Sequence, residues 1–174
     1  MEIRYAVQGD IPSMGQVYVD TWKAAYQGMI PQEFLDGLST ERWESSHRKT
    51  LGVMGMPKAA VLTEGGQVIG VSSFSKTRDD DLGPEYGEII SIYVLPAYWN
   101  KGYGNQLLAW VTGELKAMGF HHCALWTLEE NTRAQRAYEH FGFTCDGSRK
   151  MDEISGRQVW EVRYRMPLLA FGKI

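Results

Sequence analysis

Residues 88–118 restrict the fold more than any other segment, because a strand pattern changes there into a helix pattern across a pair of glycines. The apolar run after Glu88 predicts a strand, and the apolar residues after Gly104 recur at helical spacing. Gly102-Tyr103-Gly104 lets the backbone approach a ligand, and the helix N-terminus that follows favours an anion such as phosphate. A bare Gly-x-Gly also occurs in ordinary tight turns. The segment predicts an α/β protein and leaves both interpretations of the glycines open.

The rest of the chain alternates between strand and helix patterns without repeats or linkers. Strands are predicted over Glu2–Val7, Ala59–Thr63, Gln67–Lys76, Glu88–Leu95, Phe120–Leu128, Phe143–Arg149 and Arg157–Met166. Helices are predicted after an N-cap at Asp10 and over Pro31–Leu38, Thr40–Leu51, Gly102–Met118 and Asn131–Phe141. This order predicts the α/β (α+β) class, a mixed sheet with helices on both faces, and one domain over residues 1–174.

Composition argues against several other classes of protein. The 174 residues are 44% hydrophobic and 22% charged, which excludes a disordered chain. A formal net charge of −3 gives no support to a nucleic-acid partner. Two cysteines, no signal-peptide core and no bilayer-length apolar stretch predict a soluble, cytoplasmic protein without a membrane partner. His121, His122 and Cys123 place only two side chains on one side of a strand, so we expect no metal site.

Two familiar phosphate-binding motifs do not fit the glycine pair. A dinucleotide-binding fingerprint needs a third glycine three residues after the second, and that place is Leu107. A Walker A loop needs Lys and then Ser or Thr after the second glycine, where this chain has Asn105 and Gln106. Neither a nicotinamide dinucleotide nor a nucleoside triphosphate is therefore indicated.

Two motifs, in order, resemble those of the GNAT superfamily of acyl-CoA N-acyltransferases. The first is the family's coenzyme A loop, Gln/Arg-x-x-Gly-x-Gly/Ala, matched at Gly102 and Gly104 with Trp99 in the Gln/Arg place. The second is Asn-x-x-Ala-x-x-x-Tyr-x-x-x-Gly-Phe, matched from Asn131 to Phe143. The resemblance covers about Glu2 to Met166. It implies the GNAT fold, a mixed, mostly antiparallel sheet of about seven strands whose central strand pair is splayed by a bulge.

The resemblance also implies acetyl-CoA as the acyl donor and no metal. The pantetheine arm would lie in the opening of the sheet and pair with strand backbone, and the glycine loop would hold the pyrophosphate. The residues implied to bind the cofactor are Ile92, Tyr93, Val94, Trp99, Asn100, Lys101, Gly102, Tyr103, Gly104, Asn105, Asn131 and Ala134. Asn131 also fits the role of a helix N-cap, and one side chain can serve both.

The implied reaction is N-acetyl transfer to a primary amine by direct attack through a tetrahedral intermediate. The acceptor ammonium, with a pKa near ~10, must lose a proton, and the departing thiolate must gain one. Glu88 matches the general-base position of several GNAT enzymes, and Tyr138 matches the general-acid tyrosine. Glu88 could instead be a strand-end glutamate, with a water chain or backbone carbonyl taking the proton, and Tyr138 could be a core tyrosine.

The acceptor side is the part that the sequence defines least. Fold analogy and aromatic content assign it to Trp22, Tyr26 and the 28–38 segment, for a small-molecule or peptide amine. The acids Asp79, Asp80, Asp81 and Glu85 could steer cationic acceptors or form an ordinary solvated loop. An acyl-CoA-binding sensor without turnover is the alternative function, favoured by Trp99 at the Gln/Arg place. Homodimerisation stays open.

Overall fold

The structure is a computed structural model that describes residues 1–168, in which seven strands form one sheet of order β1-β2-β3-β4-β5-β7-β6. The strands are β1 (Glu2–Tyr5), β2 (Lys58–Glu64), β3 (Gln67–Lys76), β4 (Tyr86–Val94), β5 (His122–Leu128), β6 (Thr144–Ile154) and β7 (Arg157–Pro167). The helices are α1 (Ile11–Ala25), α2 (Gln32–Asp36), α3 (Glu41–Thr50), α4 (Tyr103–Ala117) and α5 (Thr132–Phe141). Every neighbouring strand pair is antiparallel except β4 and β5, which are parallel.

Helices cover both faces of the sheet, as the sequence predicts. On one face, Met14, Val17 and Tyr18 of α1 pack against β2 and β3. On the other face, the apolar stripe of α4 packs against β3, β4 and β5, and α5 joins this second core through Tyr138 and Phe141. The stripe recurs at the spacing of one helix face, so that these side chains meet the sheet together. The two cores fix α1 and α5 on opposite sides of the central strands.

The central strand pair opens after its first few residues. β4 pairs with β5 only from Tyr86 to Ile89, the last pair being Ile89 with Leu125. On its other side β4 stays paired with β3, where the register shifts between Ser73 and Phe74 and leaves Ile90 without a partner. Such an extra residue is a β-bulge, which bends its strand. The bulge turns the rest of β4 away from β5, and the predicted splay is therefore confirmed.

Two local predictions differ from the structure, whereas the helix capped by Asn131 is as predicted. β6 continues past Arg149 to Ile154, because Ser155 (φ 50°) and Gly156 (φ 81°) close a hairpin whose exposed residues carry no core pattern. Asp10 does not cap α1 with its side chain, since its carboxylate accepts hydrogen bonds from the Val7 amide and the Arg4 guanidinium. α5 begins at Thr132, with Asn131 as its N-cap. Within residues 1–168, no helix combines the length and apolarity that a bilayer crossing requires.

Candidate active site

A cavity of about 560 Å³ lies in the opening between β4 and β5. Its walls are the splayed part of β4, the loop that leads into α4, one face of α5, the end of α1 and part of β5. Most residues expected to bind a cofactor line it, namely Ile92, Tyr93, Val94, Trp99, Asn100, Gly102, Gly104, Asn105, Asn131 and Ala134. Tyr138 and Tyr26 line it as well. The splay has thus brought both sequence motifs to one site.

The backbone of β4 presents free hydrogen-bonding groups to this cavity. The Leu95 amide donates to the Ile69 carbonyl at 2.8 Å, and Gly70 lies opposite Val94 in the register. In an antiparallel ladder this makes Gly70 and Val94 a pair without mutual hydrogen bonds, so that the N–H and C=O of Val94 point away from β3. Ile92, two residues earlier in the same register, has the same orientation. β5 has diverged here, and the gap is open to an extended ligand that pairs as a strand does.

The side chain of Trp99 binds one of these groups, the carbonyl of Val94. Its indole N–H donates to the Val94 carbonyl at 2.6 Å, and the hydroxyl of Thr21 approaches the same oxygen at 3.4 Å. Trp99 thereby occupies one acceptor at the end of the ladder. The amide of Val94 and both backbone groups of Ile92 remain for a ligand.

The glycine loop has the geometry of an anion cradle. Gly102 has a φ of +84°, which L side chains rarely adopt, and it directly precedes the first residue of α4. Gly104 has an ordinary φ, but a Cβ built on it meets no atom within 4 Å and would project into the cavity that Gly104 lines. Gly102 is therefore needed for the turn and Gly104 for the space in front of the first amides of α4. These amides and the helix dipole favour a phosphate.

Two residues of this loop lie outside the cavity lining. The ammonium group of Lys101 donates to the Ala97 carbonyl at 2.9 Å and lies 5.5 Å from the ring centroid of Tyr98. The ring of Tyr103 packs edge-on against Tyr98 at 5.6 Å. Both were expected to contact the cofactor. The positive φ at Asn100 (59°) and Gly102 turns the chain so that these two side chains leave on the far side of the loop.

Helix α5 brings Asn131 and Tyr138 to the cavity. The Asn131 side-chain oxygen caps the helix by accepting from the Ala134 amide at 3.2 Å, which leaves its NH₂ group as a donor. The ring of Tyr138 packs against Phe143 and Tyr164, with centroid distances of 6.0 and 6.3 Å. Burial raises the pKa of Tyr138 well above its ordinary value, although the nearby Arg133 opposes this. The phenol is therefore neutral at physiological pH and can donate a proton.

Glu88 does not line the cavity. It lies before the bulge, where β4 is still paired with β5, and its side chain is only 2% exposed. The carboxylate accepts three hydrogen bonds from Arg78, at 3.0 Å from the backbone amide, 3.0 Å from Nε and 2.6 Å from Nη2. Its lone pairs are largely committed to that arginine. Glu88 thus fixes Arg78 on the loop between β3 and β4.

Aromatic residues close the end of the cavity that faces α1. The hydroxyls of Tyr26 and Tyr93 lie 3.3 Å apart, and burial raises the pKa of Tyr26 to about 12. Trp22 packs edge-on against Tyr26 at 4.9 Å but does not itself line the cavity. Trp126 forms the wall from β5. Its indole N–H donates to Asp79 at 2.9 Å, and the ammonium group of Lys150 lies 4.2 Å from its ring centroid.

The acidic loop is held to the sheet by one arginine. Arg163 of β7 is 4% exposed and forms ion pairs with Asp79 at 3.2 Å, Asp81 at 2.7 Å and Asp146 at 2.7 Å. Arg163 donates hydrogen bonds to Asp81 and to the two other aspartates, which raises the pKa of Arg163 and lowers the pKa of Asp81. Two of the four loop acids are therefore ion-paired within the fold, which weakens the negative field expected from the sequence.

Comparison with known proteins assigns the chain to a family. The profile of the Acetyltransferase (GNAT) family matches residues 19–143. The chain belongs to this family. It is 32% identical over 129 residues to YuaI, an uncharacterized N-acetyltransferase of Bacillus subtilis, covering 74% of this chain and 72% of the relative.

Two further relatives agree with the family. The L-methionine sulfoximine/L-methionine sulfone acetyltransferase of Salmonella typhimurium is 34% identical over 92 residues, which is 53% of either chain. The structure of yncA from Salmonella typhimurium, solved with its cofactor acetyl-CoA, superposes with a TM-score of 0.71 at 24% identity over 100% of this chain and 97% of that one. The GNAT fold and acetyltransferase class are thus established for this protein.

The sequence motifs missed several residues of this GNAT site. Arg133 stands at a variable place of the second motif, yet its guanidinium lies 3.5 Å from the ring centroid of Trp99 and it lines the cavity. Arg136, Trp126 and Thr21 also line the cavity. The helical spacing of Arg133 and Arg136 with Asn131 could have indicated the two arginines. Nothing in the spacing of Trp126 or Thr21 marks them. Among the described residues, no group of three or more His, Cys, Asp or Glu has the arrangement of a metal site.

Proposed function

We propose that this GNAT protein transfers the acetyl group of acetyl-CoA to a primary amine, with the pantetheine arm lying along the splayed part of β4. The observation that carries the proposal is the register of β4. Ile92 and Val94 direct backbone hydrogen-bonding groups into a cavity that both family motifs line. An extended amide chain can pair with these groups as an added strand would. Acetyl-CoA itself supplies the thioester.

The same cavity offers a place for each part of the donor. The amides at the start of α4, behind Gly102 and Gly104, would hold the pyrophosphate. Asn131, whose oxygen already caps α5, would donate its NH₂ group to the arm. Tyr138 lies seven residues further along the same helix and would protonate the departing sulfur. Its raised pKa keeps the hydroxyl neutral until it is needed, and its ring is fixed by Phe143.

The acceptor amine would enter from the side of Tyr26, Tyr93 and Trp126. A neutral aromatic pocket of this kind favours the uncharged amine over its ammonium form, because it replaces the lost hydration of a charge poorly. We propose that Glu88 supports this pocket only indirectly, by holding Arg78 next to the Asp79 that binds Trp126, and that water in the open cavity removes the amine proton. The support for this is that the Glu88 carboxylate is buried and committed to Arg78.

The acceptor is a small-molecule or peptide amine in this proposal. The test is a panel that contains L-methionine sulfone, a polyamine and a peptide with a free N-terminus. Release of free thiol and the mass of each product would be measured together, with the Tyr138→Phe variant in parallel. Acetylation of one acceptor that falls sharply in the variant supports the proposal. Tight acetyl-CoA binding without turnover of any amine would contradict it and restore the sensor interpretation.

We also propose that residues 1–174 act as one domain in the cytoplasm, without a nucleic-acid or membrane partner. The common sheet and the two cores that share it support the single domain for residues 1–168. One cooperative unfolding transition would agree with it, and two separate transitions would not. Light scattering of the purified protein would show whether it forms the homodimer that the sequence leaves open.

A further inference from the structure

The glycine loop contributes no cation to the cavity where the donor's phosphates would bind. The motif place for Gln or Arg holds Trp99, and the ammonium group of Lys101 is bound to the Ala97 carbonyl outside the lining. Within residues 1–168, the basic side chains that line the cavity are Arg133, Arg136 and His140, and all three belong to α5. The cationic side of the site is therefore a helix face rather than a loop.

The two arginines are placed one turn apart on that face. Residues at i and i+3 are neighbours on a helix surface, so Arg133 and Arg136 present adjacent guanidinium groups to the cavity. Arg133 lies over the Trp99 ring at 3.5 Å. Stacking uses the face of the guanidinium and leaves the N–H groups on its edge free to donate. Trp99 is itself fixed through its hydrogen bond to Val94.

The acidic residues nearest in sequence are already paired. Glu129 forms an ion pair with Arg149 at 2.7 Å, and Glu139 accepts a hydrogen bond from Tyr164 at 2.9 Å. Arg136 makes no hydrogen bond or ion pair with any other residue of the described part of the chain. Among the described residues, no acidic side chain therefore forms an ion pair with either arginine, and planar, multidentate arginines bind phosphate well.

We infer that Arg133, held against Trp99, and Arg136 bind the phosphate groups of acetyl-CoA in place of the Gln or Arg that the family motif carries. The inference rests on the proposed function only in taking acetyl-CoA as the ligand. It makes Trp99 a positioning residue, which orients Arg133 and does not contact the phosphates. On this inference, part of the affinity for acetyl-CoA comes from contacts between its phosphates and the two arginines of α5.

The test is calorimetric binding of four ligands without any amine acceptor: coenzyme A, dephospho-coenzyme A, 4′-phosphopantetheine and pantetheine. Arg133→Gln should weaken coenzyme A by about tenfold to a hundredfold, as expected for a lost charge-assisted hydrogen bond, and leave pantetheine unchanged. Dephospho-coenzyme A lacks only the 3′-phosphate, so a smaller loss with this ligand assigns the arginine to that group. Arg136→Gln should likewise weaken coenzyme A and leave pantetheine unchanged. Arg48→Gln, at an exposed position of α3, is the control that removes one positive charge away from the cavity and should leave both affinities unchanged.

Trp99 variants separate positioning from general disruption. Trp99→Phe keeps an aromatic platform and should preserve the affinity ratio between coenzyme A and pantetheine, whereas Trp99→Leu should lower it. Equal weakening of coenzyme A and pantetheine by Arg133→Gln would overturn the inference. A phosphate-dependent loss in Lys101→Gln, with none in Arg133→Gln, would overturn it in favour of the loop. Because no acceptor is present, these outcomes do not depend on whether any amine is acetylated.

Discussion

The two halves of the cavity that we propose for the cofactor and for the acceptor are built in different ways. The cofactor half, which comprises β4 after Ile89, the glycine loop, α4 and α5, presents mostly backbone groups and helix ends. The acceptor half, which we propose at the end lined by Tyr26 and Trp126, is backed by the 77–85 loop outside the cavity, and this loop is held by side-chain ion pairs around Arg163 and Arg78. Backbone geometry depends on few residue identities, whereas an ion-pair network depends on every member.

This difference suits a family that shares a donor and differs in acceptors. A register, a bulge and two glycines can be kept while the acceptor wall changes. Function is therefore easier to infer at the donor end, and the acceptor must be found by experiment. If the two halves are independent, a substitution in one should change coenzyme A affinity or amine KM without changing the other.

The largest effect is expected at Gly104, because a side chain there enters the space for the pyrophosphate. Gly104→Val should remove measurable coenzyme A binding while the thermal unfolding curve stays close to that of the parent. Gly113→Val is the matched control, since Gly113 lies in the same helix and its added Cβ also meets nothing within 4 Å. Calorimetry measures the coenzyme A affinity of both variants. Unchanged affinity in Gly104→Val would show that the loop does not hold the phosphates.

Tyr138→Phe should lower kcat by about 10²- to 10⁴-fold, the usual cost of removing a general acid, with little change in acetyl-CoA affinity. Only the hydroxyl is lost, and the ring still packs against Phe143. Because the pKa of Tyr138 is raised, the parent should keep its acid in the protonated form at and above pH 10, where a free tyrosine is half ionised. A kcat that falls with a midpoint below pH 10 and loses that limb in the variant would contradict this assignment.

The contrast between the halves also explains what the sequence could predict. Spacing predicted the strand–loop–helix at 88–118 and the capped helix at Asn131, because backbone and caps follow local rules. It could not predict that Arg163 meets Asp79 and Asp81, more than 80 positions earlier, because β7 reaches that loop only through the sheet order. For the same reason the sequence left Glu88 free to act as a base, whereas the fold commits it to Arg78.

Arg163→Met should destabilise the protein by about 3 kcal/mol, because it removes the guanidinium from the largely buried Asp79 and leaves Asp146 with Arg165 alone. Asp79 would also lose part of its support and let Trp126 move, since the same carboxylate holds the indole. We expect the KM of the amine to rise while affinity for acetyl-CoA stays the same. Chemical denaturation and calorimetry measure the two effects.

Asp81→Asn is the matched control for the ion pair, since Asp81 is 64% exposed and its loss should destabilise the protein far less than Arg163→Met. Equal loss of acetyl-CoA affinity and amine affinity in Arg163→Met would mean that the two halves are one mechanical unit.

Glu88→Gln should lower kcat/KM roughly tenfold by loosening Arg78, which is about the value of one charged hydrogen bond. The loss should be the same at every pH between about 6.5 and 9, and Arg78→Gln should reproduce it. A general base would behave differently, because its removal costs most at low pH, where the acceptor is protonated. A loss that shrinks as the pH rises would therefore return Glu88 to the role that the sequence resemblance implies.

The smallest effect is expected at Asp80, an exposed acid of the 77–85 loop that forms no ion pair with any described residue. With Asp79 and Asp81 paired to Arg163, the field of the loop is weakened, and steering requires a field that extends into solvent. Asp80→Asn should change kcat/KM for the most active cationic amine of the panel by less than about twofold at low salt. The same ratio should hold at high salt, where exposed charges are screened. A steep salt dependence of kcat/KM in the parent that disappears in Asp80→Asn would contradict this prediction. It would show that the loop still attracts cations despite the ion pairs between Arg163 and its aspartates.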